Sequence, residues 1–488
     1  MKDERAETDG GLLGPAPDLA PEERERRIVA ARRAALAWRR VGTARRVEAL
    51  TAVWASLNER RAEALAVIRE ESGKPPLEAE LVEFGAASLL VRYFAANAQR
   101  ILDERSAGMP WFLPNKRASV RRLPRGVVGV VAPWNMPFLI PFGDSFCAML
   151  AGNAVLLKPS QWATRTALWL ESAVAATGLL PEGLLTVVSG GAAAGEAVVD
   201  GSDMVLFTGS AKIGALVASR AAARLKPAVL ELGGKHPMIV CADAALERAA
   251  AGAVWGGMAN AGQVCVGVER VYVESAIHDA FVEKVKARAA ALRLGAAADA
   301  EVSRFAFPPL LERVQAQLDD ARRKGAVVIG GGVLDREGLR MAPALVLGAK
   351  PDMLVMTEET FGPVLAIMKV ERAEEAVTLA NAGPWGLAAS VWTTDPDRAE
   401  SLAASLEAGM IGINEPGTHY AYGSMPFGGV KSSGLWRRHG DEGLLALTQA
   451  QSVLAHEWPA DMPDPWWFPR DERVISVLRR LLGLAAGA

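Results

Sequence analysis

Cysteine and histidine are scarce in this chain of 488 residues, which contains three of the first and five of the second. Cys147, Cys241 and Cys265 are far apart and odd in number, which excludes a disulfide framework and is typical of a reducing compartment. The sequence contains no CxxC pair, and its histidines are scattered. We therefore predict no metal site.

The chain also lacks an excess of either charge, because its formal net charge is −2. This balance argues against a nucleic-acid partner bound through phosphates. The longest uncharged apolar stretch, Gly126 to Gly143, is close in length to the about 18 residues that a membrane helix needs. Three prolines and Asn135 interrupt it, however. The start of the chain is charged and has no apolar segment of the kind found in signal peptides. We therefore expect a cytoplasmic protein.

The first quarter of the chain has three different textures. Residues 1–20 are rich in Gly, Pro and Asp and predict a flexible arm. From Pro21 to about Arg105, apolar residues recur at helical spacing between many Arg and Glu residues. Arg117 to Pro124 then alternates loosely and predicts an exposed edge strand, which a partner subunit can cover.

From Gly126 onward, short apolar runs alternate with helical segments. The runs that predict buried strands begin at Gly126, Ala154, Leu185 and Met204, and Ala-rich helices separate them. This alternation predicts a parallel sheet covered by helices on both faces. A second block of the same kind follows from Gly233 to about Gly428, and Leu444 to Ala455 predicts a closing strand.

The C-terminal tail differs in composition from the rest. Asp461 to Pro465 predicts a stiff linker, the aromatic residues Trp466 to Phe468 follow, and Asp471 to Ala488 has the pattern of an amphipathic helix with arginines beside its apolar face. Two interpretations stay open for this helix. It either docks on its own protein or a partner subunit, or makes a peripheral contact with an anionic membrane. Its charges exclude a membrane span.

Two segments of the first α/β block fit a nucleotide. Gly209 to Gly214 follows a predicted strand and opens a predicted helix, where backbone N–H groups can meet a pyrophosphate. The spacing is not GxGxxG, so this segment taken alone is better explained as a plain strand–turn–helix. Lys158 ends another predicted strand, at the edge where ligands bind in open α/β sheets, although a solvated lysine explains it equally well.

Three further residues have the chemistry of a catalytic site. Asn135 lies between two prolines, so its amide is held where it can donate to an oxyanion. Glu231 is a carboxylate within an apolar run, where desolvation would raise its pKa and make it a general base. Cys265 lies between Gly262 and Gly267. Taken alone, these residues are better explained as a turn-stabilising Asn, a paired Glu and a small buried Cys.

Seven motifs in order change this assessment. They are Pro133-Trp134-Asn135, Lys158-Pro159-Ser160, Phe207-Thr208-Gly209-Ser210, Glu231-Leu232-Gly233-Gly234-Lys235, Gly262-Gln263-Val264-Cys265, Glu359-Thr360-Phe361-Gly362-Pro363 and Pro426 to Gly434. Together they resemble the NAD(P)-dependent aldehyde dehydrogenase superfamily, from about Pro21 to Glu457. The resemblance implies an α/β fold with a Rossmann-type cofactor domain, a second α/β catalytic domain and a small β oligomerisation element.

The resemblance also implies limits for these domains. The cofactor-binding domain would span 21–107 and 124–232, and the catalytic domain 233–443. The oligomerisation strands would lie in 108–123 and 444–457, giving a homodimer or homotetramer, and 458–488 would form the tail.

By the same resemblance, Cys265 is the nucleophile, Glu231 the general base and Asn135 an oxyanion donor. Lys158 would bind the adenosine ribose and Glu359 the nicotinamide ribose. The cofactor-binding set would be Trp134, Lys158, Ser160, Gln161, Gly209, Ser210, Gly214, Glu359 and Phe361. The substrate tunnel would be lined by Met136, Leu139, Tyr420 and Phe427, with Gly143 and Tyr422 near by position.

Several alternatives stay open. Many NAD-preferring members have a glutamate where this chain has Gln161, so NAD and NADP are both candidates. An apolar tunnel predicts an aliphatic or aromatic aldehyde. A succinate-semialdehyde dehydrogenase shares the same motifs but needs a cation for the distal carboxylate, for which His419 and Arg304 are candidates. A CoA-acylating enzyme and a non-catalytic family member are further alternatives.

Overall fold

The computed structural model describes residues 14–111, 113–295, 299–457, 464, 466–469 and 471–483. The start of the predicted arm, 1–13, most of the predicted linker at 461–465 and the end of the tail, 484–488, lie outside the described residues. In the described part of the chain, no helix has the length and apolar composition needed to cross a membrane.

The chain begins with helices that pack around the first sheet. They are α1 (Pro21–Trp38), α2 (Thr43–Glu59), α3 (Arg61–Ser72), α4 (Pro76–Glu78) and α5 (Ala86–Leu102), with a π-helical turn at Ala79–Gly85. Two strands follow, β1 (Arg105–Ala107) and β2 (Lys116–Pro124). The apolar stripe predicted for the helical region is buried, because Leu50, Val53 and Leu57 of α2 are at most 3% exposed.

The first α/β block alternates strands and helices. Its elements are β3 (Val127–Val131), α6 (Leu139–Leu150), β4 (Ala154–Lys158), α7 (Thr164–Ala176), β5 (Leu185–Val187), α8 (Ala192–Gly201), β6 (Met204–Gly209), α9 (Ala211–Ala222) and β7 (Ala228–Leu232). The predicted strands are confirmed, with bounds that differ by one or two residues.

The second block is longer. Its elements are β8 (His236–Val240), α10 (Leu246–Met258), β9 (Val268–Glu274), α11 (His278–Ala290), α12 (Pro309–Arg323), β10 (Val327–Gly330), β11 (Val333–Asp335), β12 (Arg340–Met341), β13 (Ala344–Leu347), α13 (Leu354–Thr357), β14 (Val364–Val370), α14 (Ala373–Asn381), β15 (Ala388–Trp392), α15 (Pro396–Ser405) and β16 (Met410–Ile413). The chain ends with β17 (Gly434–Leu435), α16 (Gly440–Ala446), β18 (Thr448–His456) and α17 (Glu472–Leu481).

These strands form two large sheets and a small one. The first has the order β17-β7-β6-β3-β4-β5 and is parallel except for β17. The second has the order β10-β13-β14-β9-β8-β15-β16 and is parallel except for β10. The strand order reverses between β3 and β6, and in open α/β sheets ligands bind at the carboxyl ends of the strands at such a point.

The third sheet, of order β1-β2-β18, corrects one prediction. β2 was expected at an edge, but it pairs with β1 on one side and along its whole length with β18 on the other. β18 is therefore the long edge strand. The predicted closing strand at 444–455 also begins later, because residues 440–446 form α16.

The domain limits stay a prediction, but some elements pair or extend across them. β1 belongs to the small sheet although it was placed in the cofactor domain. β17, placed in the catalytic domain, pairs with β7 of the first sheet, and α16 crosses the limit at 443. The end of the predicted flexible arm is held: Ala16 exchanges hydrogen bonds with Gln161, and the Asp18 carboxylate accepts one from the Gly191 N–H.

Candidate active site

The loops that follow β3 and β6 meet at the point where the strand order reverses. The loop after β3 carries Trp134 and Asn135, and β6 ends at Gly209. Ser210 caps α9, accepting a hydrogen bond from the Ile213 N–H at 3.4 Å. Helix geometry leaves the other N–H groups of the first turn without a partner inside the helix, an arrangement that binds anions.

The loop that carries Cys265 is held in an unusual conformation. It follows a 3-10 turn, Ala259–Gly262, in which Asn260, Ala261 and Gly262 have φ values of 51°, 53° and 72°. Such angles are costly for residues other than glycine and persist only where the surroundings enforce them. At Gly262 a Cβ atom would lie 2.1 Å from the Gly362 carbonyl oxygen, so only glycine fits.

Asn135 is bonded to this loop. Its side-chain amide donates to the Gln263 carbonyl at 2.9 Å, and the Asn260 amide donates to the Asn135 carbonyl at 3.1 Å. The same carbonyl accepts from Lys74 at 2.5 Å, and Lys74 forms a fully buried ion pair of 2.8 Å with Glu83. The amide therefore has a fixed place beside the loop that ends at the thiol.

Two cavities meet at Cys265. One, of about 260 Å³, is lined by Cys265 together with Trp134, Asn135, Gly209, Ser210, Glu231, Glu359 and Phe361. The other, of about 220 Å³, is lined by Cys265 and mostly apolar side chains. The half-buried thiol thus faces both cavities.

In the larger cavity, Glu359 is held by its backbone neighbours. Its carboxylate accepts a hydrogen bond from the Gly234 N–H at 3.1 Å, and the next two N–H groups, of Thr360 and Phe361, donate to buried Glu269. Glu269 is paired in turn with buried Lys235 at 2.5 Å. Burial, with Glu269 nearby, raises the pKa of Glu359 to about 7.

Aromatic rings close one side of the same cavity. Trp134 lies edge-on to Phe361, with ring centroids 5.5 Å apart, and stacks on Phe307 at 5.6 Å. This cavity combines a helix N-terminus, a carboxylate for ribose hydroxyls and flat apolar faces for a ring. Its donor set therefore fits a nicotinamide dinucleotide.

Four predicted cofactor residues lie outside the lining of this cavity. Lys158 ends β4, and burial lowers its pKa to about 8, while Asp18 opposes the shift. Ser160 caps the short turn that follows, and Gln161 donates to the Ala16 carbonyl at 3.1 Å. Gly214 packs against Leu232, where a Cβ would lie 2.4 Å from that side chain.

The smaller cavity contains all four predicted tunnel residues: Met136, Leu139, Tyr420 and Phe427. Gly143 and Tyr422 do not line it. Gly143 lies under Tyr420, with its Cβ position 3.5 Å from the hydroxyl, and Tyr422 is half-exposed. Glu78 is the one charged side chain of this lining within the described residues, and burial raises its pKa to about 7.

Glu231 is 1% exposed and lies between Thr208 of β6 and Gly434 of β17. Burial raises the pKa of its carboxyl group to about 7, and Arg438 is the main opposing influence. Burial also raises the pKa of the neighbouring Cys265 thiol well above its usual value, and the charges of Glu231 and Glu359 raise it further. Carboxylate and thiol are thus electrostatically coupled.

Several residues of the site were missed in the sequence. Lys74 and Glu83, which hold Asn135, are in the helical N-terminal region. Charged residues are common in that part of the sequence, so these two did not stand out. Arg438, which faces Glu231, follows the last motif without a pattern of its own. Glu78 had no signal beyond its place in a helix.

The chain matches the aldehyde dehydrogenase family over residues 4–453. It is 38% identical over 464 residues to the 4,4'-diapolycopene aldehyde oxidase of a Methylomonas species, covering 94% of this chain and 87% of that protein. This chain belongs to the aldehyde dehydrogenase family.

Other relatives of this aldehyde dehydrogenase differ in their cofactor. A protein of Mycolicibacterium smegmatis named "Putative succinate-semialdehyde dehydrogenase (NADP+)" is 39% identical over 396 residues, or 79% of this chain and 75% of that protein. The crystal structure of a Mycobacterium tuberculosis aldehyde dehydrogenase complexed with NAD+ has a TM-score of 0.85 and 32% identity, covering 92% of both chains.

These similarities confirm the predicted family and fold class. The enzyme is an NAD(P)-dependent aldehyde dehydrogenase with a Rossmann-type sheet and a second α/β sheet. The assignment of roles to single residues stays a prediction, which the geometry above makes testable.

The coupling between Glu231 and Cys265 predicts the outcome of one substitution. At about pH 9 Glu231 is ionised, because this pH lies above its pKa of about 7, and its charge disfavours the thiolate. Glu231→Gln removes that charge, so the pKa of Cys265 falls and alkylation by iodoacetamide speeds up, about tenfold for each unit of decrease. Mass spectrometry of the labelled peptide measures this rate.

Cys241 is an internal control, because it is buried and the charges that act on it, among them Arg398 and Glu274, do not include Glu231. Its labelling rate should not change. A substitution of exposed Glu312 by Gln is the matched control for the loss of one carboxylate. An unchanged rate at Cys265 in the Glu231→Gln variant would contradict the coupling.

Proposed function

We propose that this enzyme oxidises a hydrophobic aldehyde to its carboxylic acid through a covalent intermediate on Cys265. The observation that carries the proposal is the position of this thiol, at the meeting point of an apolar cavity and a cavity suited to a dinucleotide. A thiol in that position can hold the carbonyl carbon of a substrate while facing a hydride acceptor.

The first step is attack of the Cys265 thiolate on the aldehyde carbon. Sulfur forms a bond to carbon, and the carbonyl electron pair moves to oxygen, giving a thiohemiacetal oxyanion. The Asn135 amide, fixed by its bond to Gln263, is the side-chain donor positioned to stabilise this charge. Because the donor is held before substrate arrives, little reorganisation is needed.

When bound, NAD(P) would supply a hydride acceptor, and the oxidised acyl group would stay on Cys265 as a thioester. Glu231 then takes a proton from water as the water oxygen adds to the acyl carbon. The carbon–sulfur bond breaks, sulfur leaves with the electron pair, and the thiol is restored as the acid departs. A carboxyl group with a pKa of about 7 is suited to take and return a proton near neutral pH.

Glu359 would hold the nicotinamide ribose, and the N-terminus of α9 the pyrophosphate. Trp134 and Phe361 would flank the nicotinamide. Lys158 would bind the adenosine ribose at the end of β4. The Gln161 amide donates to Ala16 and brings no negative charge, so a 2′-phosphate is not repelled by this residue and both cofactors remain candidates.

The smaller cavity favours an apolar substrate. Among the described residues no Lys or Arg lines it, and the ionised form of Glu78 would repel a second carboxylate. His419 and Arg304, the candidate cations for succinate semialdehyde, are engaged elsewhere: the imidazole of His419 bonds with the Ile411 carbonyl, and Arg304 donates to the carbonyls of Glu70 and Glu71. The names of the Methylomonas and Mycolicibacterium relatives give different aldehydes, so they do not decide the substrate class. The proposed preference for an apolar aldehyde therefore rests on the lining of the cavity.

A panel of aldehydes tests the proposal. With NAD+ and with NADP+, we expect decanal and benzaldehyde to be oxidised with kcat/KM at least about tenfold above that of succinate semialdehyde, because each methylene that leaves water contributes about 0.8 kcal/mol. Acid formation without CoA should match the reduced cofactor formed. Cofactor reduction at 340 nm and acid yield are the measurements, and Cys265→Ala is the inactive control.

Each alternative gives a different result in this assay. A preference for succinate semialdehyde would identify that class of enzyme and contradict the role given to the apolar cavity. Turnover that requires CoA would identify a CoA-acylating enzyme. No reduced cofactor with any aldehyde would favour a non-catalytic protein, and activity of Cys265→Ala would contradict the nucleophile assignment.

We also propose that the enzyme is a homo-oligomer, assembled through the open edge of β18. This strand runs for nine residues without Lys, Arg, Asp, Glu or Pro, the residues that usually protect an exposed edge, and its Leu454 is 65% exposed. A second copy of the chain can cover such an edge.

Leu454→Lys tests this assembly. The wild type should elute at two or four times the chain mass of 51.7 kDa in size-exclusion chromatography with light scattering, whereas the variant should shift toward the single-chain mass because an interface charge is costly. Leu334→Lys, at a half-exposed position of β11, is the matched control. A monomeric wild type would contradict the proposal.

For the C-terminal helix we propose peripheral contact of this otherwise cytoplasmic enzyme with an anionic membrane. No residue of α17 is fully buried: Val474, Ile475 and Leu478 are partly covered, and Val477, Leu481 and Leu482 expose apolar surface. Arg479 and Arg480 end the same helix, where they can meet anionic headgroups. A docked helix would instead bury its apolar side chains.

Vesicle sedimentation tests the contact. The wild type should pellet with vesicles that contain anionic lipid, and the double substitution Arg479→Glu and Arg480→Glu should reduce the bound fraction several-fold, since each basic residue contributes about 1 kcal/mol at such a surface. Arg322→Glu with Arg323→Glu, in the last turn of α12, is the matched control. Equal binding of wild type and tail variant, or none by either, would contradict the contact.

A further inference from the structure

A buried ion pair lies beside Glu231 and takes no part in the chemistry described so far. Asp144 of α6 and Arg438, between β17 and α16, are each 4% exposed, and their charged atoms lie 3.2 Å apart. A buried ion pair usually contributes little to stability, although removing one partner is costly because the other charge is left unpaired. Stability alone therefore does not explain why this pair lies next to a catalytic carboxylate.

Arg438 is held rigidly on both sides. Its backbone exchanges two hydrogen bonds of 2.7 Å with Phe427, a residue of the apolar cavity. Its guanidinium donates to the hydroxyl of Thr208, which neighbours Glu231 across the sheet. The cation therefore cannot move away from the carboxylate without disturbing the cavity wall.

The contact between Arg438 and Glu231 acts through space. Both Glu231 oxygens and the Nε atom of Arg438 are buried and have no hydrogen-bond partner among the described residues, whereas Nη2 of Arg438 is paired with Oδ2 of Asp144. A cation and an anion with unused hydrogen-bonding capacity thus share one enclosed region. In such a region charges interact more strongly than in water.

The groups that face Glu231 come from several elements. Arg438 acts as the cation, Asp144 on α6 and the Cys265 thiol are the acidic neighbours, and Tyr420 in a 3-10 turn acts on Arg438 in the same cluster. The buried imidazole of His439, which stacks edge-on against Tyr420 at 4.5 Å, has its pKa lowered to about 3 by burial and is uncharged.

We propose that Asp144 and Arg438 form a positioning pair for Glu231, in which Arg438 keeps this carboxylate ionised for hydrolysis and Asp144 moderates the cation. The inference rests on the proposed role of Glu231 as general base. Neither residue touches substrate. Both act on the step in which water is activated.

The two members of the pair affect Glu231 in opposite directions. Without Arg438 the buried carboxylate loses the cation that opposes the effect of burial, so its pKa rises from about 7. Without the charge of Asp144 the cation acts unopposed, so the pKa of Glu231 falls. A general base works in its ionised form, and the rate of hydrolysis increases with pH through this pKa.

Arg438→Gln and Asp144→Asn, measured by the rate of acid release after a single turnover, test the pair. We expect the rising limb of the pH–rate profile to move up by about one pH unit in Arg438→Gln and down by a similar amount in Asp144→Asn. Loss of structure alone would lower the rate without moving the limb in opposite directions. Arg438→Lys, which keeps the charge, should restore the limb toward its wild-type position.

Glu274→Gln is the control, because it breaks the ion pair of 2.6 Å with Arg398 at the far end of β9. It should leave the limb unshifted. If Arg438→Gln does not fold, Asp144→Asn decides alone: a downward shift supports the pair, and an unshifted or upward limb overturns it. Reduced cofactor formed in the first turnover reports the proposed function separately, so an active enzyme with unshifted limbs refutes only the pair.

Discussion

The hydrogen bond from the Asn135 amide to the Gln263 carbonyl is the contact on which the site depends, because it joins the two α/β blocks at the thiol. Asn135 comes from the loop after β3, and Gln263 from the strained turn before Cys265. Neither loop fixes its own geometry: the Lys74–Glu83 pair supports one, and the close approach of Gly362 to Gly262 supports the other. Fixing the amide before substrate arrives is also what makes it a useful oxyanion donor. The strain in the turn is therefore a cost that the preorganised donor offsets in catalysis.

Desolvation is the second constraint, and it affects three carboxyl groups alike. Glu231, Glu359 and Glu78 each have a pKa of about 7, chiefly because burial disfavours their charged forms. The consequences differ because their neighbours differ. Glu231 faces Arg438 and the thiol, where a proton can be taken and returned. Glu359 is bonded to the Gly234 N–H in the dinucleotide cavity. Glu78 lies in the apolar cavity, where its neutral form can contact a hydrocarbon chain without an unpaired charge.

Much of this arrangement could be predicted from the sequence, and the failures have a common cause. Local patterns were sufficient for the strands of the first block, because hydrophobic runs are properties of neighbouring residues. The cavity residues were predicted from the family resemblance of the ordered motifs, and Lys158, Ser160, Gln161 and Gly214 lie outside the lining, while Glu78 was missed. The sequence could not reveal that β2 is central in its sheet, since pairing with β18 depends on a strand more than 300 positions away. Nor could it reveal the support of Asn135 by Lys74 and Glu83, because buried ion pairs are made from residues that look like surface residues in text.

The same reasoning explains why Asp144 and Arg438 are informative. A buried charge pair is a weak contributor to stability, and an apolar pair of similar volume would satisfy the fold. These two charges are next to a carboxylate that must remain ionised at neutral pH although burial opposes it. A cation alone would lower the proton affinity of Glu231 too far for a base, and an anion alone would leave it protonated. A pair of opposite charges, in which the cation has the larger effect, keeps the pKa of the carboxyl group between these two extremes. The pKa of Glu231 therefore depends on the positions of both residues.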